Sequence, residues 1–250
     1  NMMTKTLVLI PSRLSAKRLP GKPLYKINGL SIINHVYNKA LKSNIGDVAV
    51  ATGDMKILKE VKNFGGFCVL TNKKHKTGSD RIFEAYTKIK SYKYDYILNL
   101  QGDEPMINIK DIRRLNNTAK KLNSKMATLC CTIKKKSYIS NKNIVKVYTN
   151  KKLNYKNSAI ALDFFRNKKN KKKNLSMYHH IGIYIYKTNV LKKFVSLKQT
   201  KNEKKFKLEQ LRALENQIPI NIILTKRKPI GVDTLHDYHK VKKLMENKKN

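Results

Sequence analysis

The sequence has few cysteines, few acidic residues and no long apolar run, and each of these absences excludes a class of protein. Cys68 stands alone and Cys130 adjoins Cys131, which gives neither a disulfide framework nor the ligand spacing of a zinc knuckle. The longest apolar stretches, 6–11 and 218–224, are far shorter than the ~20 residues that cross a bilayer. We therefore expect reduced cysteines in the core and no membrane span.

The N-terminal segment also lacks the features of a signal peptide. Residues 1–5 run directly into a short apolar strand, without an extended apolar region followed by a small-residue cleavage site. We therefore expect a cytoplasmic protein. With 250 residues, of which 40% are hydrophobic, the chain can bury a core without disulfides or metals, and we expect a single domain over 1–250.

The 16 acidic residues are outnumbered by 55 lysines and arginines, so the formal net charge is +39. Such an excess raises the question of a polyanionic partner, because these side chains neutralise phosphates. Only eight of the basic residues are arginines, and the lysines are scattered, with the monotonous run NKKNKKKN at 167–174. A nucleic-acid-binding face usually interleaves arginines with aromatic residues. We interpret the excess as compositional drift and expect no specific nucleic-acid partner, with a non-catalytic, basic nucleic-acid-binding protein as the alternative.

Hydrophobic periodicity predicts alternating strands and helices in the first 100 residues. The predicted strands are 6–10, 47–51, 67–70 and 95–100, and the predicted helices are 32–43 after an N-cap at Ser31, 56–64 and 79–89. Further along, the strands are 126–133, 144–149, 181–186 and 220–224, and the helices are 208–216 and 235–245. This pattern predicts an α/β fold with a mostly parallel mixed sheet, helices on both faces, ligands beyond the carboxyl ends of the strands and a small appended sub-domain over about 134–200.

A loop rich in proline, glycine and cations follows the first predicted strand. It spans 11–23 and contains Arg13, Lys17, Arg18 and Lys22. The glycine lets the backbone approach a ligand closely, the prolines limit the freedom of the loop, and the cations suit phosphates. The Walker spacing is absent, so a solvated basic turn stays the alternative to a phosphate site.

Two aspartates also follow predicted apolar segments. Asp103 lies in the sequence QGDEP after the strand at 95–100, and Asp233 follows the segment 230–232. Two carboxylates at one edge of a sheet suit Mg²⁺, which prefers oxygen ligands and binds phosphates at the same time. Gly-Asp sequences are also common in turns that hold no metal. A shared magnesium site and ordinary turns are therefore both open on these residues alone.

The order of these motifs resembles that of the sugar-acid cytidylyltransferases. The loop has the pattern P-x-R-x-x-x-x-R-L-P-G-K-P-L, and the similarity continues through Ala51-Thr52, H-x-x-G-x-x-R from His75, QGDEP and the GVDT sequence around Asp233. QGDEP, together with H-x-G-I-Y from His180 and LEQLR at 208–212, is similar to the enzymes that act on 3-deoxy-manno-octulosonate (Kdo). The resemblance covers nearly the whole chain.

The resemblance implies a Rossmann-like nucleotidyltransferase fold and transfer of CMP from CTP to Kdo, with release of pyrophosphate, as the activation step of lipopolysaccharide inner-core synthesis. It also implies Mg²⁺ held by Asp103 and Asp233, and a homodimer in which the sub-domain over about 134–200 contributes to dimerisation and sugar binding. A cytidylyltransferase for a nine-carbon, sialic-type sugar acid is the alternative enzyme.

The resemblance also assigns roles to individual residues. The catalytic residues would be Arg13, Lys22, Asp103 and Asp233; the nucleotide would bind Pro11, Arg13, Arg18, Lys22, Ala51, Thr52, Thr77, Gly78 and Asp103; and the sugar would bind Gln101, His180, Tyr184, Glu209 and Gln210. Considered one at a time, the four predicted sugar-binding residues after Gln101 could also have purely structural roles. Tyr184 would be an ordinary strand aromatic, His180 a satisfied edge residue, and Glu209 and Gln210 solvent-facing helix positions.

The chain departs from the family pattern at four positions. Gly53 and Lys76 stand where the family has Asp and Gln, and Ala16, next to Ser15, stands where it has a hydroxyl. Ser158 stands where the family has an arginine. We expect the departure at Ser158 to affect recognition of the sugar carboxylate.

Overall fold

The computed structural model describes residues 5–89, 93–167 and 174–247. The first four residues of the N-terminal segment and residues 168–173 of the lysine-rich run lie outside the described residues. The chain divides into two compact units, one formed by Asn1–Arg114 with Pro229–Asn250 and the other by Leu115–Lys228. Among the residues described, no helix combines the length and the apolarity that a membrane crossing requires.

The first unit alternates strands and helices along the chain. Its elements are β1 (Thr6–Ser12), a short 3-10 helix (Lys22–Leu24), β2 (Lys26–Ile27), β3 (Leu30–Ser31), α1 (Ile32–Ser43), β4 (Gly46–Thr52), α2 (Met55–Asn63), β5 (Cys68–Leu70), α3 (Gly78–Lys88), β6 (Tyr96–Asn99) and the start of α4 (Ile109–Lys121). The long strands follow the order β5-β4-β1-β6, and all their pairings are parallel. The parallel sheet predicted for this part of the chain is confirmed.

β1 is the centre of this sheet. It pairs with β4 on one side and β6 on the other, with Leu7 opposite both Asp47 and Ile97. Its apolar side chains from Leu7 to Ile10 are almost completely buried. Because parallel strands end at the same edge of a sheet, the loops that follow β1, β4 and β6 leave from one side of the unit.

Local signals fixed the helix boundaries well. α1 begins after Ser31, whose side-chain oxygen accepts a hydrogen bond from the backbone N–H of Asn34, as an N-cap does. α2 ends before Gly65, which adopts φ 83°, a value that glycine takes without strain. α4 was not predicted, because apart from Ile109 at its first position its apolar residues are only Ile112, Leu115 and Ala119 in a sequence that is otherwise polar.

The second unit contains a different kind of sheet. Its elements are β7 (Met126–Cys131), α5 (Ser137–Ser140), β8 (Lys146–Thr149), β9 (Ala159–Phe165), β10 (Ser176–Lys187), α6 (Thr188–Ser196), α7 (Lys201–Phe206), α8 (Leu211–Glu215) and β11 (Ile220–Leu224), after which α9 (Leu235–Glu246) belongs to the first unit. The strand order is β10-β7-β11-β9-β8, and β8 also pairs with β10, so the five strands close into a ring.

Within this ring only the β7–β11 pairing is parallel. The prediction of a mostly parallel sheet is therefore wrong for the second unit. Antiparallel neighbours need no helical crossover, which is why the regular strand-helix alternation fades here. β9, α6 and α7 were not predicted, and the helix predicted over 208–216 is the shorter α8. The region of about 134–200 lies inside this unit, and its role in a dimer stays a prediction.

Cys68, Cys130 and Cys131 form no disulfide and are buried, as predicted. Burial raises the pKa of the Cys68 thiol to about 12, and burial also raises the pKa of Cys130. Thiols with raised pKa values are poor nucleophiles and poor metal ligands. The cysteines are therefore core residues rather than part of a reactive site.

Candidate functional site

A cavity of about 430 Å³ lies in the first unit, beyond the ends of β1 and β6. Nine of the residues predicted for the site line it: Pro11, Arg13, Arg18, Lys22, Thr77, Gly78, Gln101, Asp103 and Asp233. The lining also includes Lys17, which the sequence analysis placed among the cations of the loop. It further includes residues to which the sequence analysis gave no role, namely Ser12, Ala16, Pro23, His75, Lys76, Arg81 and Gly102. The structure thus gathers the phosphate loop, the QGDEP segment and Asp233 around one space.

The loop after β1 is held in shape by its own backbone. Leu14 is its anchor, because its carbonyl accepts hydrogen bonds from the N–H groups of Ala16 and Gly21, each at 2.9 Å. The N–H of Leu14 in turn donates to Oδ2 of Asp54 at 2.9 Å. Gly21 has φ 75°, a left-handed conformation that costs glycine little and other residues more. The cationic side chains of the loop therefore extend from a backbone that is held in place by hydrogen bonds.

Ala51 and Thr52 do not line the cavity. Both are fully buried at the end of β4. The Oγ1 atom of Thr52 accepts a hydrogen bond from the N–H of Asp54 at 3.1 Å, and Asp54 holds Leu14. The position of Thr52 therefore supports the loop through Asp54.

Lys22 is the central cation of the cavity. Its Nζ atom lies 2.8 Å from Oδ2 of Asp103 and 3.7 Å from Oδ1 of Asp233, and it donates to the carbonyl of Val232 at 3.0 Å. Its side chain is only 13% exposed. Arg18, which is much more exposed, forms an ion pair of 2.6 Å with the other oxygen of Asp233. The two carboxylates therefore converge on one ammonium group.

The backbone fixes both carboxylates as well. The N–H of Val232 donates to the carbonyl of Asp103 at 2.8 Å, which ties two distant segments of the chain together. Directly after Asp233, Thr234 and Asp237 form a capping box at the start of α9. Burial disfavours the charge on Asp237, but hydrogen bonds from the N–H groups of Asp233 and Thr234 and from the Thr234 side chain hold its pKa below the usual range.

α3 borders the other side of the cavity. It begins after Thr77, whose hydroxyl accepts from the N–H of Asp80 at 3.2 Å. Arg81 is buried one turn later and donates to Oγ1 of Thr71 at 2.7 Å and to the carbonyl of Asn72 at 3.0 Å. Burial lowers the pKa of Arg81, and the neighbouring charge of Arg13 lowers it further. The pattern H-x-x-G-x-x-R contained the signal for Arg81, although no role was assigned to it.

The donor set of the cavity is compatible with Mg²⁺. Asp103 and Asp233 supply carboxylate oxygens that both lie within 4 Å of the Nζ atom of Lys22. Across the described ranges, no cluster of three or more His, Cys, Asp and Glu side chains forms a metal cage. Two carboxylates are nevertheless what Mg²⁺ requires when phosphates and water complete its coordination.

The other four residues of the predicted sugar set lie in the second unit. The rings of His180 and Tyr184 on β10 lie 5.5 Å apart, and the charge of Glu209 acts on Tyr184. Gln210 immediately precedes α8 and is 6% exposed, so the alternative of a solvent-facing helix position is wrong for it. Within this unit the structure brings His180, Tyr184 and Glu209 together.

His180 is held as a neutral side chain. The hydroxyl of Thr128 has one hydrogen, which it donates to a backbone carbonyl; the Ile183 oxygen lies 2.7 Å away. The Thr128 oxygen therefore accepts a hydrogen bond from the Nε2–H of His180 at 3.0 Å. Burial lowers the pKa of His180 to about 3, and the charges of His179 and Lys228 act in the same direction. Burial is the main cause that raises the pKa of Tyr184 well above its ordinary value, and the charges of Tyr186 and Glu209 act in the same direction. Both side chains are therefore uncharged hydrogen-bonding groups at neutral pH.

Arg212 fixes the segment that contains Glu209 and Gln210. It forms a two-point ion pair with Glu203, at 2.6 Å and 3.0 Å, and both side chains are almost fully buried. Its guanidinium also lies over the ring of Phe194, 4.7 Å from the centroid. The N–H of Arg212 donates to the carbonyl of Glu209 at 3.1 Å. The LEQLR sequence therefore combines a structural cation with two candidate sugar-binding residues.

Comparison with known proteins agrees with these features. Residues 7–226 match the family described as Cytidylyltransferase. The chain is 41% identical over 249 residues to the 3-deoxy-manno-octulosonate cytidylyltransferase of Thermodesulfovibrio yellowstonii, with 96% of this chain and 98% of the relative covered. It is also 41% identical over 241 residues to the protein of that name from Fusobacterium nucleatum subsp. nucleatum, with 95% of each chain covered.

Among solved structures, the chain is similar to CMP:2-keto-3-deoxy-manno-octonic acid synthetase complexed with CTP. The TM-score is 0.89 and the sequence identity 34%, with 98% of this chain and 100% of the other covered. The expected nucleotidyltransferase-like α/β fold with a mixed sheet is thereby confirmed. On the matched family, the length of the similarity and the shared motifs, the chain belongs to the cytidylyltransferases, among the 3-deoxy-manno-octulosonate cytidylyltransferases.

Proposed function

We propose that the chain transfers CMP from CTP to Kdo, giving CMP-Kdo and pyrophosphate, as the activation step of lipopolysaccharide inner-core synthesis. The observation that carries this proposal is the cavity beyond β1, in which Lys22 forms ion pairs with both Asp103 and Asp233. Further cationic side chains line the same cavity. The relatives named 3-deoxy-manno-octulosonate cytidylyltransferase, which align with at least 95% of this chain, support Kdo as the acceptor.

In this reaction the oxygen of the anomeric hydroxyl of Kdo bonds to the α-phosphorus of CTP. The bond between that phosphorus and the oxygen leading to the β-phosphate breaks, pyrophosphate leaves, and the hydroxyl proton passes to solvent. Such transfers depend mainly on alignment of the reactants and on neutralisation of charge. We assign these tasks to Arg13, Arg18 and Lys22, because all three line the cavity.

We further propose that Asp103 and Asp233 bind Mg²⁺. When bound, the ion would offset negative charge on the phosphates of the nucleotide. Lys22 would remain beside the two carboxylates and limit their mutual repulsion, since its Nζ atom already lies within 4 Å of an oxygen of each. The carboxylates would also keep Lys22 and Arg18 oriented in the cavity.

For the sugar we propose Gln101, His180, Tyr184, Glu209 and Gln210. Kdo carries several hydroxyl groups, which pair well with neutral donors and acceptors. The Tyr184 hydroxyl stays protonated because its pKa is raised by burial, and Glu209 offers a carboxylate beside it.

We also propose a cytoplasmic homodimer, for which light scattering should give twice the 29.0 kDa mass of one chain. A measured mass equal to that of one chain would refute the dimer.

The direct test is release of pyrophosphate from CTP with a panel of sugar acids in the presence of Mg²⁺. We expect turnover with Kdo and little or none with a nine-carbon sialic acid. Replacing CTP by ATP or UTP should reduce the rate strongly. Absence of turnover with CTP and Kdo would refute the proposal, and preference for the sialic acid would assign the alternative substrate.

A further inference from the structure

Six cationic side chains line the cavity of the first unit, and they differ in whether the protein already neutralises them. Lys22 and Arg18 are paired with Asp103 and Asp233, and Arg81 donates to Thr71 and Asn72. The remaining three are Arg13, Lys17 and Lys76. Within the described residues, their side chains make no hydrogen bond and no ion pair. These three cations are therefore available to an anionic ligand.

The charge of the cavity points to a highly charged ligand. Its cations outnumber its two carboxylates by four. The triphosphate of a nucleotide carries about four negative charges near neutral pH, since only its terminal group retains a proton with a pKa near 6. The protein side chains alone thus match the charge of a triphosphate before any metal ion binds.

Lys76 is held on an ordered loop rather than on a loose surface segment. The N–H of Asn72 donates to Oε2 of Glu84 at 2.8 Å, and Nε2 of His75 lies 3.2 Å from the same oxygen. The N–H of Lys74 donates to the side chain of Asn72 at 2.8 Å. Lys73 and Lys74 belong to this loop and are exposed, yet they do not line the cavity. The loop therefore selects one of its three lysines for the cavity.

Lys17 is fixed in a similar way from the opposite loop. It lies between Ala16, whose N–H binds the Leu14 carbonyl, and Arg18, which pairs with Asp233. Lys17 and Lys76 thus approach the same space from two loops whose backbones are each held by hydrogen bonds.

We propose that Lys17 and Lys76, together with Arg13, form a subsite for the pyrophosphoryl end of the nucleotide, and that this subsite binds pyrophosphate without a divalent ion. The identity of the nucleotide rests on the proposed function, whereas the charge of the subsite does not. The same groups would hold the leaving pyrophosphate after transfer. The product then competes with CTP, and Mg²⁺ is needed for turnover rather than for binding of the phosphates.

The experiment measures binding of inorganic pyrophosphate to the full chain by titration calorimetry in EDTA, without CTP or Kdo. The test variant is the double substitution Lys17→Gln/Lys76→Gln. The control is Lys73→Gln/Lys74→Gln, which removes the same charge from the same surface region but not from the cavity. We expect each cavity lysine to contribute about fivefold to the dissociation constant, so the test variant should lose about 25-fold. The control should lose less than about twofold, because exposed charges outside the cavity are screened by salt.

Equal losses in the two double variants would overturn the proposal, because they would assign binding to the overall positive field. Failure of the unaltered chain to bind pyrophosphate in EDTA would overturn the metal independence. Circular dichroism of each variant excludes misfolding as the cause. The outcome is separate from that of the proposed function, because failure of the latter is absence of turnover with CTP and Kdo in Mg²⁺, whereas this titration involves neither substrate.

Discussion

Asp103 and Asp233, far apart in the sequence, share the ammonium group of Lys22, which lies 2.8 Å from one carboxylate and 3.7 Å from the other. The carbonyl of Asp103 also accepts the N–H of Val232 at 2.8 Å. The two carboxylates are therefore positioned by the same contacts. A change at either one should affect the function of both.

Replacing either aspartate by asparagine should abolish most of the Mg²⁺-dependent turnover. Asparagine keeps the size and one acceptor oxygen but removes the negative charge that a hard cation favours. The double variant should be scarcely worse than either single one, as expected for residues that act as a unit. Pyrophosphate release from CTP and Kdo against Mg²⁺ concentration measures this, with Asp111→Asn, outside the cavity lining, as the control. Additive losses, or an unchanged metal dependence in one variant, would count against a shared ion.

Arg13→Ala and Lys22→Ala should both weaken the use of CTP, each by ~1.5–3 kcal/mol, or about 10-fold to 150-fold in kcat/KM. Their effects on folding should differ. Lys22 is an internal partner of Asp103 and Val232, so its loss leaves the Asp103 carboxylate without this cation and lowers the free energy of unfolding, whereas Asp233 keeps its ion pair with Arg18. Arg13 is exposed and should leave that free energy nearly unchanged. Urea unfolding and CTP kinetics together test this, and unchanged CTP kinetics in both variants would refute the phosphate assignment.

Tyr184→Phe and Gln210→Ala should raise the KM for Kdo and leave the KM for CTP near normal. Each substitution removes one buried hydrogen-bonding group from the proposed sugar site in the second unit. Steady-state kinetics with each substrate varied in turn measures the difference. Tyr25→Phe, outside both sets of residues, is the matched control. Equal weakening for both substrates would show that these residues do not face the sugar specifically.

The protein should lose stability as the pH falls from about 6.5 towards 3. Burial holds the pKa of His180 at about 3, whereas in the unfolded chain it is ~6.5. In this window the unfolded state binds a proton that the folded state does not, so the stability is present above the unfolded pKa and decreases as the pH falls. The slope from His180 is at most about 1.4 kcal/mol per pH unit. Urea unfolding at several pH values should give a shallower slope for His180→Gln, and an unchanged slope would contradict the assignment.

Gly53→Ala should destabilise the first unit by ~1–3 kcal/mol, because overpacking of a tight contact has this typical cost. A Cβ atom at Gly53 would lie 2.7 Å from the Cα atom of Lys73. The backbone of the loop that contains Lys76 would then have to shift. Gly231→Ala is the control, because its nearest contact would be an ordinary 3.5 Å. Equal melting temperatures of the two variants would show that the loop accommodates the extra methyl group.

This contact gives a structural reason for one departure from the family pattern. The sequence shows only that Gly53 replaces an aspartate. The structure shows that the approach of Lys73 to Gly53 leaves no room for any side chain there. Nothing in the structure explains the replacement of the family arginine by Ser158.

Local sequence was sufficient where the structure depends on local chemistry. β1, β4, β6 and β11 are compact apolar runs, and the N-cap of Ser31 and the turn at Gly65 follow from side-chain and backbone preferences. The phosphate loop and the QGDEP segment were also recognisable, because their residues are contiguous. By contrast, α4 and β9 have weak periodicity and are stabilised by burial against distant residues. Their formation was not predicted for this reason.

The sequence by itself determined the family, the strands of the parallel sheet and most residues that line the cavity, since these depend on short motifs and on hydrophobic period. Tertiary structure alone decided that Asp103 and Asp233 share Lys22, that Gln210 is buried, and that Lys17 and Lys76 face the cavity while Lys73 and Lys74 do not. The physical reason is that the lysines of one loop have the same side chain and the same charge, so the sequence does not distinguish them. Only the path of the backbone and the partners already bound determine which of them remains available to a ligand.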